Sequence, residues 1–199
     1  MKENKTIVLA SNNTHKIEEF KQIFADYNIV SLKDIGFFED IEETGTTFFE
    51  NSLIKATAVH KFLTEKGIIA DVLADDSGLC VDALDGAPGV YSARYAGEHD
   101  NAANRQKLLK ELSTKNDRSA HFTCCLVYMF ADGSYIHQEG YTFGTILAEE
   151  TGDNSFGYDC LFCSADLGKS FGLCTHEEKN SVSHRGRAIE KLLKELKKQ

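Results

Sequence analysis

The chain opens on a wholly apolar run, "TIVLA" at residues 6–10, the pattern of a strand buried on both faces. A polar turn, "SNNTH", follows. From Lys16 onward, Ile17, Phe20, Ile23 and Phe24 recur with helical spacing and share one face. Residues 28–32 supply a second strand. "TGTTFFENSLIKATAVHKFLTEKG" reads as a long helix: Thr47 and Glu50 fit a capping box, and Gly67 suits the stop. Phe49, Leu53, Ala56 and Leu63 form its inward face, while Asn51 and Lys55, one turn apart, share another and can project together into a cleft. A strand is expected from Ile68 to Ala74, ending in Asp75 and Asp76. After a glycine-rich stretch, "NAANRQKLLKELS" is helical. "AHFTCCLVYMF" and "YIHQEGYTFGTILAE" predict a long antiparallel pair turning at Asp132 and Gly133. A short strand is expected after "SFGYD". The closing helix carries Ala188, Ile189, Leu192, Leu193 and Leu196 as a stripe, with Ser181 or Ser183 as its cap. Strands alternating with helices indicate an α/β fold.

Composition narrows the possibilities. At 199 residues the chain fits one domain spanning 1–199, built as a single unit or as two closely packed lobes. No apolar run approaches the roughly 20 residues that span a bilayer. The start, "MKENKTIVLA", has too short an apolar segment for a secretion signal. The expectation is a cytoplasmic protein with no membrane partner. A formal charge of -9 argues against broad nucleic-acid binding but leaves room for a small anionic ligand met by a few lysines. The six cysteines, among them "CLFC" at 160–163 and the adjacent Cys124 and Cys125, read as reduced, core-packing thiols rather than disulfides or a zinc site.

Several stretches carry possible chemistry. Asp75 and Asp76 stand where a buried strand runs out, the place where ligands collect in doubly wound sheets. Two adjacent carboxylates fit a solvated turn, or a Mg²⁺ site completed by Glu42 or Glu43 from a second polar loop. "SNNTHK" hands a strand over to a helix, so its amides and Lys16 can cradle phosphate, or merely cap the helix. Neither G-x-x-x-x-G-K-[ST] nor G-x-G-x-x-G occurs. In "SFGYD", Phe156 offers a stacking face, Gly157 a bend, and Asp159 an acceptor for a ring N–H; a core aromatic before a turn is the alternative. "KNSVSHRG" brings Lys179, His184 and Arg185 to a helix start as donors for phosphate or a carbonyl-bearing base. Together they describe cation ligands, lysines, a stacking ring and donors for a base edge.

With these blocks in order, "SNNTHK", "EETGTTFFENSLIKA", "LADDSGL", "DGAPGVYSARYAG", "FGYD" and "EEKNSVSHRG", the sequence resembles the inosine triphosphate pyrophosphatase family nearly end to end. The resemblance implies an elongated, two-lobed α/β fold around a long, mixed, twisted sheet with flanking helices and the substrate in a cleft between the lobes. It implies a homodimer that hydrolyses ITP, dITP and XTP to the monophosphate and pyrophosphate with Mg²⁺. Carried over residue by residue, Ser11, Asn12, Asn13, Thr14, His15, Lys16 and Lys55 contact the triphosphate. Glu43 and Asp76 hold the metal, and Asp76 is also the proton acceptor. Ser77 touches substrate, and Phe156, Gly157, Tyr158, Asp159, Lys179, His184 and Arg185 form the base and phosphate pocket. The chain departs from the family pattern at Asn12, Ser155 and Cys160, and at "LCT" over 173–175. Maf-like pyrophosphatases acting on other modified nucleotides, and a nucleotide sensor without turnover, are the alternative functions.

Overall fold

The computed structural model describes residues 5–24, 26–97, 100–153 and 156–198. Strand β1 (Thr6–Leu9) leads through the polar turn into helix α1 (Thr14–Ile23), and β2 (Asn28–Ser31) returns parallel to β1, with Ile7 opposite Ile29. Helix α2 (Phe48–Glu65) is fixed at its start by the capping box read from the sequence: Thr47 Oγ1 accepts from the Glu50 amide at 3.1 Å, and Glu50 Oε2 accepts from the Thr47 amide at 3.1 Å. There follow β3 (Asp71–Val81), short 3₁₀ turns at Asp82–Leu84 and Gly89–Arg94, and α3 (Asn101–Glu111) capped by Asp100. The hairpin partners β4 (Ser119–Met129) and β5 (Tyr135–Ile146) are joined where the Gly133 amide donates to Phe130 O at 2.9 Å. The remaining elements are β6 (Phe162–Ser164), β7 (Lys169–Ser170), α4 (His176–Val182) and α5 (His184–Leu196).

The strands form one mixed sheet in the order β2-β1-β3-β4-β5-β6-β7, parallel around β1 and antiparallel from β5 to β7. The chain divides into two compact units. The first takes the stretch ending at Asp76, Cys125–Gln138 and the chain from Ile189; the second takes Ser77–Cys124 and Glu139–Ala188. In the first, Val8, Leu32, Phe37, Ala56, Val59, Leu63, Val72 and Val127 form the core, with Phe49 and Leu53 packed against it. In the second, Leu79, Leu108, Leu112, Phe122, Ile146, Leu161, Phe162 and Phe171 do so. Each Val, Leu, Ile or Phe among them contributes roughly 1.5–3 kcal/mol relative to exposure. Among the described residues, no helix is long and apolar enough to cross a membrane. Cys124, Cys125 and Cys160 are buried, whereas Cys80, Cys163 and Cys174 are half-buried.

Three expectations are corrected. Strand β3 neither begins at Ile68 nor ends before the aspartates: Ile69 is 91% exposed, and the strand runs through Asp75 and Asp76 to Val81. What stops at that point is the neighbour, because β1 pairs with β3 only as far as Leu9 opposite Leu73. The aspartates therefore lie at the carboxyl end of β1 while inside β3. Helix α1 starts at Thr14, three residues before Ile17, the first apolar position of its stripe, because Asn13 Oδ1 accepts from the Lys16 amide at 3.3 Å and anchors the first turn. Lys179 sits inside the separate helix α4 rather than at the start of the closing helix. Ser183 ends α4 and caps α5, its Oγ accepting from the Gly186 amide at 3.0 Å, whereas Ser181 Oγ donates back to Glu178 O.

Gly140 sets how closely β5 approaches the start of α5. A Cβ there would stand 2.0 Å from His184 O and 2.5 Å from the Ala188 amide nitrogen. Both contacts are backbone and cannot rotate away. Gly140→Ala is expected to cost about 1–3 kcal/mol through overpacking, read as a lower denaturation midpoint; an unchanged midpoint contradicts the close approach.

Candidate functional site

In the first unit the polar side chains converge on the end of β1. Asp75 and Asp76 are 2% and 7% exposed, a burial that carboxylates tolerate only with partners. Lys16, one turn into α1, places its ammonium 2.9 Å from Asp75 Oδ1. Asp76 is met instead from α2. Asn51 Nδ2 donates to Asp76 Oδ2 at 3.1 Å, and Lys55 Nζ lies 3.5 Å from Asp76 Oδ1 and 3.2 Å from Glu43 Oε1. Asn51 also accepts from the Gly45 amide at 2.8 Å, which fastens the loop carrying Glu43 to the same helix. Asn51 and Lys55 thus share a face as their spacing indicates. That face is buried, alongside Ser52, whose hydroxyl donates to Cys125 O.

Burial pushes the Asp76 carboxyl above the usual carboxylate range; Lys55 and Lys16 oppose the rise and Glu43 adds to it. Burial alone would lower Lys55, but Asp76, Asp75 and Glu43 outweigh it and hold the ammonium above its ordinary value. Two ammonium groups here face three carboxylates, a formal surplus of one negative charge across the five groups. Among the described residues, no three or more His, Cys, Asp or Glu side chains form a closed metal cage. The donor set suits a hard divalent ion such as Mg²⁺, which takes one or two carboxylates and fills its shell with water and phosphate oxygens. Glu43, from the loop before α2, and Asp76, from within β3, reach one ammonium and can supply those carboxylates; Glu42 is exposed. Ser11 is half-buried, and Asn12, Asn13 and Thr14 are exposed at the strand-to-helix turn, where Ser11 Oγ accepts from the Asn13 amide at 3.1 Å. His15 lies in α1, and its side chain falls outside the described residues.

The second unit holds the other group. Residues 156–159 make a turn in which the Asp159 amide donates to Phe156 O at 3.2 Å. Asp159, 3% exposed, forms an ion pair with Lys179, 5% exposed, at 2.6 Å. The acceptor read at Asp159 is therefore engaged by a lysine from α4. The Lys179 ammonium also stands 5.9 Å from the ring centroids of both Phe156 and Phe171. Tyr158 is buried in the core, its hydroxyl donating to Ser92 O at 2.9 Å, and burial raises its pKa. At the start of α5, the buried His184 ring stacks on Phe122 with centroids 4.9 Å apart and planes 15° apart. Phe122 in turn stacks on Phe171 at 6.4 Å, so a line of rings joins His184 to the neighbourhood of Lys179. Arg185, 4% exposed, donates from Nη2 to Ser77 Oγ at 3.4 Å. Ser155 lies outside the described residues; Cys160 is buried, and burial pushes its thiol up to about 11.

The structure thus brings Lys16, Glu43, Lys55 and Asp76 together in one unit, and Phe156, Asp159 and Lys179 together in the other. Two participants were not among the expected site residues. Asn51 had a signal, its helical spacing from Lys55. Arg105, whose guanidinium reaches Gly157 O at 3.1 Å, had none, because a single arginine inside "NAANRQKLL" looks like helix surface.

Comparison with known proteins agrees with the motifs. Residues 7–195 match the Ham1 family. A protein of Clostridium perfringens named dITP/XTP pyrophosphatase is 50% identical over 200 residues, covering 97% of this chain and 98% of that protein. A Bacillus subtilis protein of the same name is 45% identical over 197 residues, covering 96% and 97%. Among solved structures, the Staphylococcus aureus Ham1 protein matches with a TM-score of 0.87 at 42% identity over 97% of this chain and 98% of that one. A Mycobacterium abscessus nucleoside-triphosphatase, dITP/XTP pyrophosphatase, matches at 0.75 with 38% identity over 94% and 98%.

Proposed function

The chain belongs to the Ham1 family, and from that premise we propose that it is a nucleoside triphosphate pyrophosphatase acting on deaminated purine nucleotides. ITP, dITP and XTP are hydrolysed to the monophosphate and pyrophosphate, which clears them from the nucleotide pool. The observation that carries the reading is the convergence of Glu43 and Asp76 on the Lys55 ammonium, with Asn51 bracing Asp76. Relatives carrying the name dITP/XTP pyrophosphatase support the substrate class. The enzyme is taken to work in the cytoplasm as a homodimer, in line with the resemblance of its motifs.

In this reading, residues 11–16 and Lys55 hold the triphosphate. Lys16 and Lys55 exchange part of their pairing with Asp75, Asp76 and Glu43 for phosphate oxygens, so charge on the leaving pyrophosphate meets fixed cations. Glu43 and Asp76 would hold Mg²⁺ as its protein ligands. When bound, that ion neutralises the phosphates and lowers the pKa of water. Asp76 orients the attacking water and accepts its proton, a role favoured by a carboxyl that burial has raised. The water oxygen bonds to the α-phosphorus, the bond from that phosphorus to the bridging oxygen breaks, and the electron pair leaves with pyrophosphate.

Ser77, residues 156–159, Lys179, His184 and Arg185 are assigned to the base and adjoining phosphate. Donors such as Arg185 or His184 accept a purine bearing a 6-carbonyl and leave a 6-amino group facing a donor. A panel of ITP, XTP, GTP and ATP with and without Mg²⁺, quantifying monophosphate and pyrophosphate, tests this. ITP and XTP should exceed ATP by at least about a hundredfold in kcat/KM, and chelation should stop turnover. Equal rates on all four nucleotides, or full activity in chelator, contradict it.

A further inference from the structure

Helix α3 contributes a side chain that reaches the turn at residues 156–159. Arg105 is 7% exposed. Its Nε donates to Glu150 Oε1 at 2.8 Å and its Nη1 donates to the Gly157 carbonyl at 3.1 Å. One planar guanidinium therefore ties a carboxylate on one side of the turn to a peptide carbonyl inside it, a geometry that a lysine cannot reproduce. The Glu150 carboxyl is held below its usual range by that contact, and its second oxygen accepts from Cys160 Sγ at 3.5 Å. The backbone reinforces the frame: the Thr151 amide donates to Cys160 O at 2.8 Å. Gly157 itself has φ +57°, in the left-handed region, so the direction of its carbonyl depends on what holds it. Tyr158 and Asp159 have their own anchors in Ser92 and Lys179. Gly157 O is the point at which Arg105 reaches the turn, directly after the Phe156 ring.

We propose that Arg105 is a positioning residue for base discrimination: by clamping Gly157 O against Glu150 it fixes the Phe156 ring and the Asp159–Lys179 pair in the arrangement that distinguishes one purine from another. The proposal rests on the assignment of residues 156–159 to the base made above. A purely structural arginine would hold the fold together without bearing on which base is preferred, and the two roles give different results.

The test compares the wild-type chain with Arg105→Met and Arg105→Lys. Hydrogen exchange is followed across residues 156–161, and kcat and KM are measured for ITP and GTP. In Arg105→Met, exchange at the Asp159 and Leu161 amides should rise by about tenfold or more, the effect of losing one charge-assisted hydrogen bond. The ITP-over-GTP ratio of kcat/KM should narrow by roughly tenfold, mainly through KM for ITP with kcat little changed. Arg105→Lys should restore the melting temperature but only part of the ratio. It also serves as the readout should the methionine variant fail to fold. Unchanged exchange in the turn overturns the proposal. So does faster exchange with an unaltered ITP-over-GTP ratio, which leaves Arg105 a structural clamp only. A wild-type protein that turns over neither ITP nor XTP sinks the function reading instead, a failure visible in the control before either variant is considered.

Discussion

Asp76→Asn should lower kcat for ITP by at least about a thousandfold, the scale of losing a general base, while the protein remains as stable as the wild type or becomes more so. The two halves have one cause. Burial raises the Asp76 carboxyl, so the folded protein holds a proton there more tightly than the unfolded chain does. The ionised form therefore costs stability that is absent at low pH. The cost appears as pH rises through the ordinary aspartate range and is complete above the raised folded value. Asparagine carries no charge to desolvate, and its carbonyl can still accept from Asn51 Nδ2. Lys55 keeps Glu43 as a partner. What disappears is one of the two proposed cation ligands and the acceptor for the proton of water. Steady-state kinetics and a melt on the same preparation check both halves. Hydrolysis within a few fold of wild type removes Asp76 from its role. Lost activity with a collapsed midpoint makes it a structural residue instead.

The pair Lys179 and Asp159 should behave in the opposite way. Both side chains are almost fully buried and 2.6 Å apart, so removing one takes an opposite charge away from a group that water barely reaches. Lys179→Met or Asp159→Asn alone should cost about 3–5 kcal/mol, on the order of a 10 °C loss of midpoint for a chain of this size. The double variant should recover most of that, because the desolvated charge left behind, and not the missing attraction, dominates each single loss. A double-mutant cycle by denaturant unfolding measures the coupling. Singles within about 1 kcal/mol of wild type would show the two groups to be solvated. Activity is expected to fall in all three variants, since the pair frames the Phe156 ring.

Local order is largely legible in the sequence. The Thr47–Glu50 box, the pairing of Asn51 with Lys55 on one face, the turn at Asp132 and Gly133 and the apolar stripe of α5 all depend on residues within one or two turns of each other. Helix α4 is not legible from hydrophobic spacing because its seven residues are too few for an apolar period to register. Its own Thr175–Glu178 capping box was the available signal. The full extent of β3 is hidden in the sequence because two adjacent charges look like the end of a buried strand.

The amino-acid order by itself determined which segments form helices and strands, which carboxylates and lysines exist to do chemistry, and the family those motifs point to. Partners far apart along the chain decided the rest. Lys16 reaches Asp75 across 59 positions and Lys179 reaches Asp159 across 20, while Arg105 and Gly157 are 52 apart. No local propensity encodes such meetings. Aspartates inside a strand become tolerable only when a distant helix delivers an ammonium to them, and that depends on how the elements pack in three dimensions.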